Sequence, residues 1–245
     1  MTERTFEGLR SVRPRPRGAT PRLIVLHWTG GVVKPSVFDE DGDGLLSHVD
    51  DDDDGDGLPD RDDPDAEDCG SLEALYRVLR ATTGPRTPDG LSVHVGVAPD
   101  GMKVQWARDE LVTLHAGEVN PDALGLEGCS PGYSTSKAWA IEKARGIARR
   151  EYVDRIRGSR VRMVDYTDAQ METIALQVER WCDRWRIPRR IPLELDGSLM
   201  RRQMTPEELA AYSGVMGHYH CHLTKNDPGT APFLHLARRW GIVTG

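Results

Sequence analysis

The chain lacks any apolar stretch approaching the length that crosses a bilayer, so no membrane-spanning helix is expected. Its first residues, Met1-Thr-Glu-Arg-Thr-Phe-Glu-Gly8, lack the basic-then-apolar pattern of a secretory signal, and export by that route is not expected. Cysteine is sparse: Cys69, Cys129, Cys182 and Cys221 form no Cys-x-x-Cys pair, which argues against a thiolate-rich structural zinc site. Four cysteines in 245 residues are also too few for disulfides to be the main scaffold. Basic charge is nearly missing from one region. Residues 39–68 hold 16 of the 39 acidic residues and a single basic one, Arg61. Outside that tract 31 basic residues face 23 acidic ones, so the net charge of -7 conceals a basic body suited to polyanionic partners.

What is present reads as alternating strands and helices. Residues 1–20, rich in Arg, Pro and Gly, are expected as an extended arm. Leu23–Leu26 is an apolar run expected as a buried strand, which leaves His27 at its end, facing a loop. Ser71–Ala81 has an N-cap serine and apolar residues at helical spacing. Leu91–Ala98 and Met102–Trp106 flank the turn Pro99-Asp-Gly101 and predict a hairpin. A short strand is expected over Leu111–His115, a loop over 118–136 and a short buried strand over Ala138–Glu142. Thr167-Asp-Ala-Gln170 is a capping box, followed by an apolar stripe through Met171, Ile174, Val178, Trp181, Cys182 and Trp185. Thr205-Pro206 starts another helix, and Val215–His218 is expected as a last strand. The order of elements predicts an α/β fold, a single domain with a central mixed β-sheet flanked by helices.

Two distant fragments carry the chemistry. His27 ends the first apolar strand, and Gly217-His218-Tyr-His220-Cys-His222-Leu-Thr-Lys225-Asn-Asp227-Pro-Gly229 offers imidazoles, an ammonium and a carboxylate together. Two imidazoles and a carboxylate make a three-ligand zinc site with one open position, a tool for hydrolysis. Lys225 adds positive charge where an oxyanion would form. The second imidazole could come from His218, His220 or His222. Glu142, in an apolar run, is a carboxylate whose burial needs a reason.

The chain resembles the zinc-dependent N-acetylmuramoyl-L-alanine amidases of the type-2 superfamily, which also holds phage endolysins and peptidoglycan recognition proteins. The matching segments run in order: Ile24-Val-Leu-His27-Trp-Thr-Gly30, Ser92-Val-His94-Val-Gly-Val-Ala-Pro-Asp-Gly101, His115-Ala-Gly117, Ala140-Ile-Glu142, Tyr166-Thr-Asp-Ala-Gln170, and Gly217-His218 through Lys225-Asn-Asp227-Pro-Gly229. The resemblance implies zinc held by His27, His218 and Asp227, with His220 in reserve for His218. It implies Glu142 as general base, Lys225 as oxyanion stabiliser and His115 as a lining of the substrate groove. Some relatives use a tyrosine where this chain has Val93, which aligns the chain with members that use the glutamate. The implied substrate is peptidoglycan, at the amide between the lactyl group of N-acetylmuramic acid and L-alanine. The alternatives are a non-catalytic wall-binding module on the same fold and a cytoplasmic wall-recycling amidase. No nucleic-acid partner and no stable membrane insertion are expected, and the protein is expected to be a monomer. It is expected to act on the wall from the periplasm or outside, reached by a non-Sec route such as phage lysis.

The acidic tract is ordered when read in twelve-residue frames. Asp39, Asp41, Asp43, Gly44, Leu45, Ser47 and Asp50 take positions 1, 3, 5, 6, 7, 9 and 12 of an EF-hand-like loop. Asp52, Asp54, Asp56, Gly57, Leu58, Asp60 and Asp63 repeat the pattern. Oxygen donors at these spacings suit structural calcium. Both loops end in Asp rather than Glu and resemble thrombospondin type 3 or dockerin repeats. The tract at 39–68 therefore reads as a calcium-loop insert in a catalytic domain spanning 21–245.

Overall fold

The computed structural model describes residues 11–29, 72, 75, 76, 79, 80, 90–144 and 146–244. The acidic tract and its candidate calcium ligands, Asp39 through Asp63, lie outside the described residues.

The centre is a five-stranded sheet of mixed direction. In chain order its strands are β2 (Leu23–Trp28), β3 (Val95–Val97), β4 (Lys103–Gln105), β6 (Ala123–Gly128) and β9 (Gly214–Gly217), in the spatial order β4-β3-β6-β2-β9. β3, β6, β2 and β9 run parallel, and β4 pairs antiparallel with β3 through the predicted hairpin. β2 and β6 are buried along their whole length, as expected of inner parallel strands covered on both faces. One face packs against α2 (Asp168–Trp185) and α5 (Ala231–Trp240) through Ile24, Leu26, Leu124, Leu126, Ile174, Val178, Trp181 and Phe233. The opposite face, with Leu23, Val25, Ala123 and Met216, packs against Met200, Met204 and Tyr212. The capping boxes at Thr167 and Thr205 both form, the second starting α3 (Pro206–Ala211) with proline in its first turn. Leu72, Leu75, Tyr76, Leu79 and Arg80 are helical, as the spacing predicts.

Three expectations give way. The loop expected over 118–136 contains β6, the middle strand of the sheet. Its glycines mark places where aromatic rings lie on the backbone. A Cβ at Gly125 would come within 2.8 Å of the His115 ring, and one at Gly128 within 2.2 Å of Tyr166. The strand expected over Ala138–Glu142 is instead helix α1 (Lys137–Ala144). Alanine and long-chain residues favour a helix there, and the Ser136 hydroxyl accepts a hydrogen bond from the Trp139 N–H at 3.1 Å to open it. The arm expected over 1–20 is docked from residue 11 onward. β1 (Val12–Pro14) pairs antiparallel with β5 (Leu111–Thr113), and Arg15 donates to the carbonyls of Pro121 and Ala123. Proline is tolerated in such an edge strand because it need not donate to a ladder on its outer side. A further hairpin, β7 (Glu151–Ile156) and β8 (Ser159–Val164), forms a separate two-stranded sheet, and α4 (His218–Cys221) follows β9 directly.

Candidate metal centre

The C-terminal ends of parallel strands are the usual place for a site in an open α/β sheet, and two of them converge here. His27 is the fifth residue of β2, and His218 follows the last residue of β9. His27, His218 and Asp227 are all buried and meet with one donor atom each. His27 Nδ1 lies 3.1 Å from His218 Nδ1 and 3.1 Å from Asp227 Oδ2, and His218 Nδ1 lies 3.0 Å from the same oxygen. No placement of protons on two neutral imidazoles satisfies all three edges of this triangle. If both rings donate to Asp227, the two Nδ1–H groups confront each other; if one donates to the other, one edge to the carboxylate is lost. A cation facing the three atoms resolves the conflict. A tetrahedral ion with ligand distances of about 2.0–2.1 Å needs ligand atoms roughly 3.3 Å apart, close to the spacing present. The donor set thus fits a divalent transition metal with a further position open.

The local sequence places these atoms. Gly217 lets the ligand loop fold back, since a Cβ there would meet Pro228 Cδ at 2.5 Å. Tyr219 N–H donates to the Asp227 carbonyl at 3.1 Å, tying the two ends of the ligand segment together. Tyr166 OH donates to the His27 carbonyl at 2.9 Å. His27 Nε2 meets His115 Nδ1 at 2.8 Å, so with Nδ1 turned to the metal the Nε2–H donates to His115 and fixes the ring. His115 therefore supports a ligand from behind, and its own Nε2 is enclosed with no partner among the described residues.

His220, His222 and His94 have partners away from the triangle. His220 is buried, with Nδ1 accepting from the Gly217 N–H at 2.9 Å and Nε2 against the Met200 carbonyl at 3.1 Å. Both its nitrogens are used inside the fold. His222 is exposed, with Nδ1 against Thr224 Oγ1 at 3.2 Å. His94 is buried, accepting at Nδ1 from Thr113 Oγ1 and Gly125 N–H at 3.0 Å each, with Nε2 toward Leu111 O at 3.1 Å.

Glu142 is engaged elsewhere. It pairs with Arg149, whose side chain is completely buried and also donates to Asp165 O, Gln170 Oε1 and Cys129 O. The residue the sequence reading missed is Glu127, next to the last in β6 and buried. It is the register partner of His27. Its carboxyl accepts no hydrogen bond from the described residues, yet its oxygens are not fully enclosed. The available signal was Ala123-Leu-Gly-Leu-Glu-Gly128, an apolar run hidden by its glycines and by the preceding Pro121-Asp122.

The electrostatics set these groups apart. Burial, reinforced by the nearby Asp227 charge, raises Glu127 well above the usual carboxylate range, and Lys225 partly offsets this. Burial also lowers His27 to about 4, with His218 contributing. Burial alone would raise Asp227, but its hydrogen bonds from His218 and His27 outweigh that and hold it below its ordinary range. Lys225 is exposed on the ligand loop, close enough for its charge to act on both Glu127 and His27. A buried, proton-avid carboxylate beside a metal-ligand triangle and a lysine is equipped to activate water against a polarised carbonyl.

No curated protein matches the sequence. Among solved structures, the amidase LysC from Clostridium intestinale is 12% identical, covering 98% of this chain and 97% of that one, with a TM-score of 0.47. Escherichia coli AmiD, solved with anhydro-N-acetylmuramic acid-L-Ala-D-gamma-Glu-L-Lys, is 15% identical over 95% of this chain and 62% of that one, with a TM-score of 0.45. Drosophila PGRP-LB is 12% identical, covering 94% and 86%, with a TM-score of 0.46. The sequence profile of the family Amidase_2, N-acetylmuramoyl-L-alanine amidase, matches residues 17–230. The chain belongs to this N-acetylmuramoyl-L-alanine amidase family.

Proposed function

We propose that the protein is a zinc-dependent hydrolase of the amide between N-acetylmuramic acid and L-alanine in peptidoglycan. The observation that carries this reading is the buried triangle of His27, His218 and Asp227 with Glu127 on the adjacent strand. Zinc, when bound, supplies Lewis acidity to the amide carbonyl and to an attacking water. Glu127 takes the proton from that water and returns it to the departing L-alanine nitrogen, a role matched to its raised pKa. Lys225 faces the negative charge that develops on the carbonyl oxygen. His115 holds His27 in the tautomer that leaves Nδ1 free for the metal. A complete ligand set supports catalysis over a purely binding role. We further propose action on the wall outside the cytoplasm, reached by a route such as phage lysis, and calcium binding by the loops at 39–50 and 52–63.

The test is digestion of purified peptidoglycan by the protein as isolated, after chelation, after zinc restoration and as Glu127→Gln, with products read by mass spectrometry. Stem peptides with a free L-alanine amino terminus, lost on chelation and in the variant, are expected. Absence of that product from zinc-loaded protein would refute the reading.

A further inference from the structure

The β7–β8 hairpin has two faces with different fates. Its inner side is fastened to the ligand loop. Asp154 accepts from Thr230 N–H and Oγ1 at 2.8 Å each, and a Cβ at Gly229 would touch Tyr152 OH and Met163 Sδ. At the tip, Arg157 donates to the Lys225 carbonyl and, at 2.7 Å, to Asn226 Oδ1. The outer side is basic and exposed. Arg155 and Arg160 are direct partners in the antiparallel register, and Arg162 stands two residues further along the same face, opposite exposed Val153. Like charges placed directly opposite on a sheet repel and weaken the pair. No carboxylate among the described residues pairs with these three arginines. The acid on that face, Glu151, is occupied by Trp139 Nε1 at 2.9 Å and Lys143 Nζ at 3.3 Å. The charge of Arg162 reaches Glu151, but Arg155 and Arg160 have no carboxylate partner among the described residues, and a basic cluster of this kind on the hairpin fastened to the ligand loop favours an external polyanion.

We propose that this outer face docks polymeric peptidoglycan through the carboxylates that repeat along its stem peptides, making intact wall, rather than soluble fragments, the favoured substrate. The proposal rests on the amidase reading. A single soluble fragment fills the metal site alone, whereas a polymer places further carboxylates within reach of the hairpin. Guanidinium groups suit such carboxylates because they bind them in bidentate fashion.

The experiment compares the zinc-loaded wild type with the triple variant Arg155→Gln, Arg160→Gln, Arg162→Gln. Co-sedimentation with purified sacculi is measured across salt concentrations, with native sacculi and with sacculi whose carboxylates have been amidated. Hydrolysis of a soluble disaccharide-peptide is measured in parallel. The variant is expected to bind native sacculi about tenfold more weakly at low salt and to lose most of the salt dependence. Amidated sacculi are expected to bind both proteins alike, and hydrolysis of the soluble substrate is expected to be unchanged. Unaltered sacculus binding, an equal fall in soluble hydrolysis, or equally tight binding of duplex DNA by the wild type would overturn the proposal. Failure of the zinc-loaded wild type to cut both the sacculi and the soluble substrate would sink the amidase reading, while sedimentation would still decide the docking surface.

Discussion

His27 and Glu127 are register partners on the neighbouring parallel strands β2 and β6, a hundred residues apart in the chain. Opposite residues on adjacent strands share a face, with the strands about 4.8 Å apart. The proposed metal ligand and the proposed base are therefore held by the ladder itself, and a slip of one residue would turn one of them to the other side of the sheet.

Exchange of the two candidate carboxylates separates catalysis from stability. Glu127→Gln is expected to lower kcat by about 10²–10⁴-fold with the fold intact. Glu142→Gln is expected to keep kcat per folded molecule while costing about 3 kcal/mol, because Arg149 loses the countercharge for a buried guanidinium. Steady-state rates and urea denaturation on both variants decide; the reverse pattern would restore Glu142 as the base.

Metal stoichiometry discriminates the histidines. His218→Ala is expected to abolish zinc retention, measured by elemental analysis after dialysis. His220→Ala is expected to retain one zinc per chain yet lose about 1–3 kcal/mol, since it leaves the Gly217 N–H and Met200 carbonyl unpaired in the interior.

His115→Phe removes the acceptor for His27 Nε2 while keeping a planar ring against Gly125. A loss of 10–100-fold in zinc affinity is expected from a competitive chelator titration. Unchanged affinity would assign His115 to the groove rather than to the ligand.

Acid should weaken the metal-free protein before ordinary carboxylates titrate. Burial holds His27 and His220 at about 4 and His94 at about 3, against an ordinary 6.5. The unfolded chain takes up these protons below 6.5 and the folded one does not, so stability falls from pH 6.5 towards 4, by up to about 1.4 kcal/mol per pH unit per histidine. Glu127 works in the opposite sense, because its raised pKa favours the folded state as it protonates. Denaturant midpoints of chelated protein at pH 7.5, 6.5 and 5.5 test the balance; a flat profile would contradict it.

Calcium should raise the melting temperature in calorimetry relative to a calcium-specific chelator, with zinc kept saturating. Replacing Asp39, Asp41, Asp52 and Asp54 by Asn should remove the effect, since these residues occupy the first two ligand positions of each loop.

Legibility followed the range of the interaction. His27 is readable because an apolar run ends on it, and Lys225 and Asp227 because they share one short segment with His218. His218 is favoured over His220 already by the resemblance, and the fold adds a reason the local sequence does not carry: Met200 O and Gly217 N–H absorb both nitrogens of His220. Glu142 is the base that the resemblance implies and that an apolar run favours, yet in the fold that run is a helix and the partner of Glu142 is Arg149.

The sequence by itself determined the capping boxes, the amphipathic stripe of α2, the β3–β4 hairpin and the α/β character, because each depends on contacts within a few residues. Only the tertiary structure decided that Ala123–Gly128 is the middle strand. Its glycines lower local strand propensity, and the strand exists because two parallel neighbours complete its hydrogen bonds and the rings of His115 and Tyr166 occupy the space a Cβ would need. That placement alone brings Glu127 beside His27.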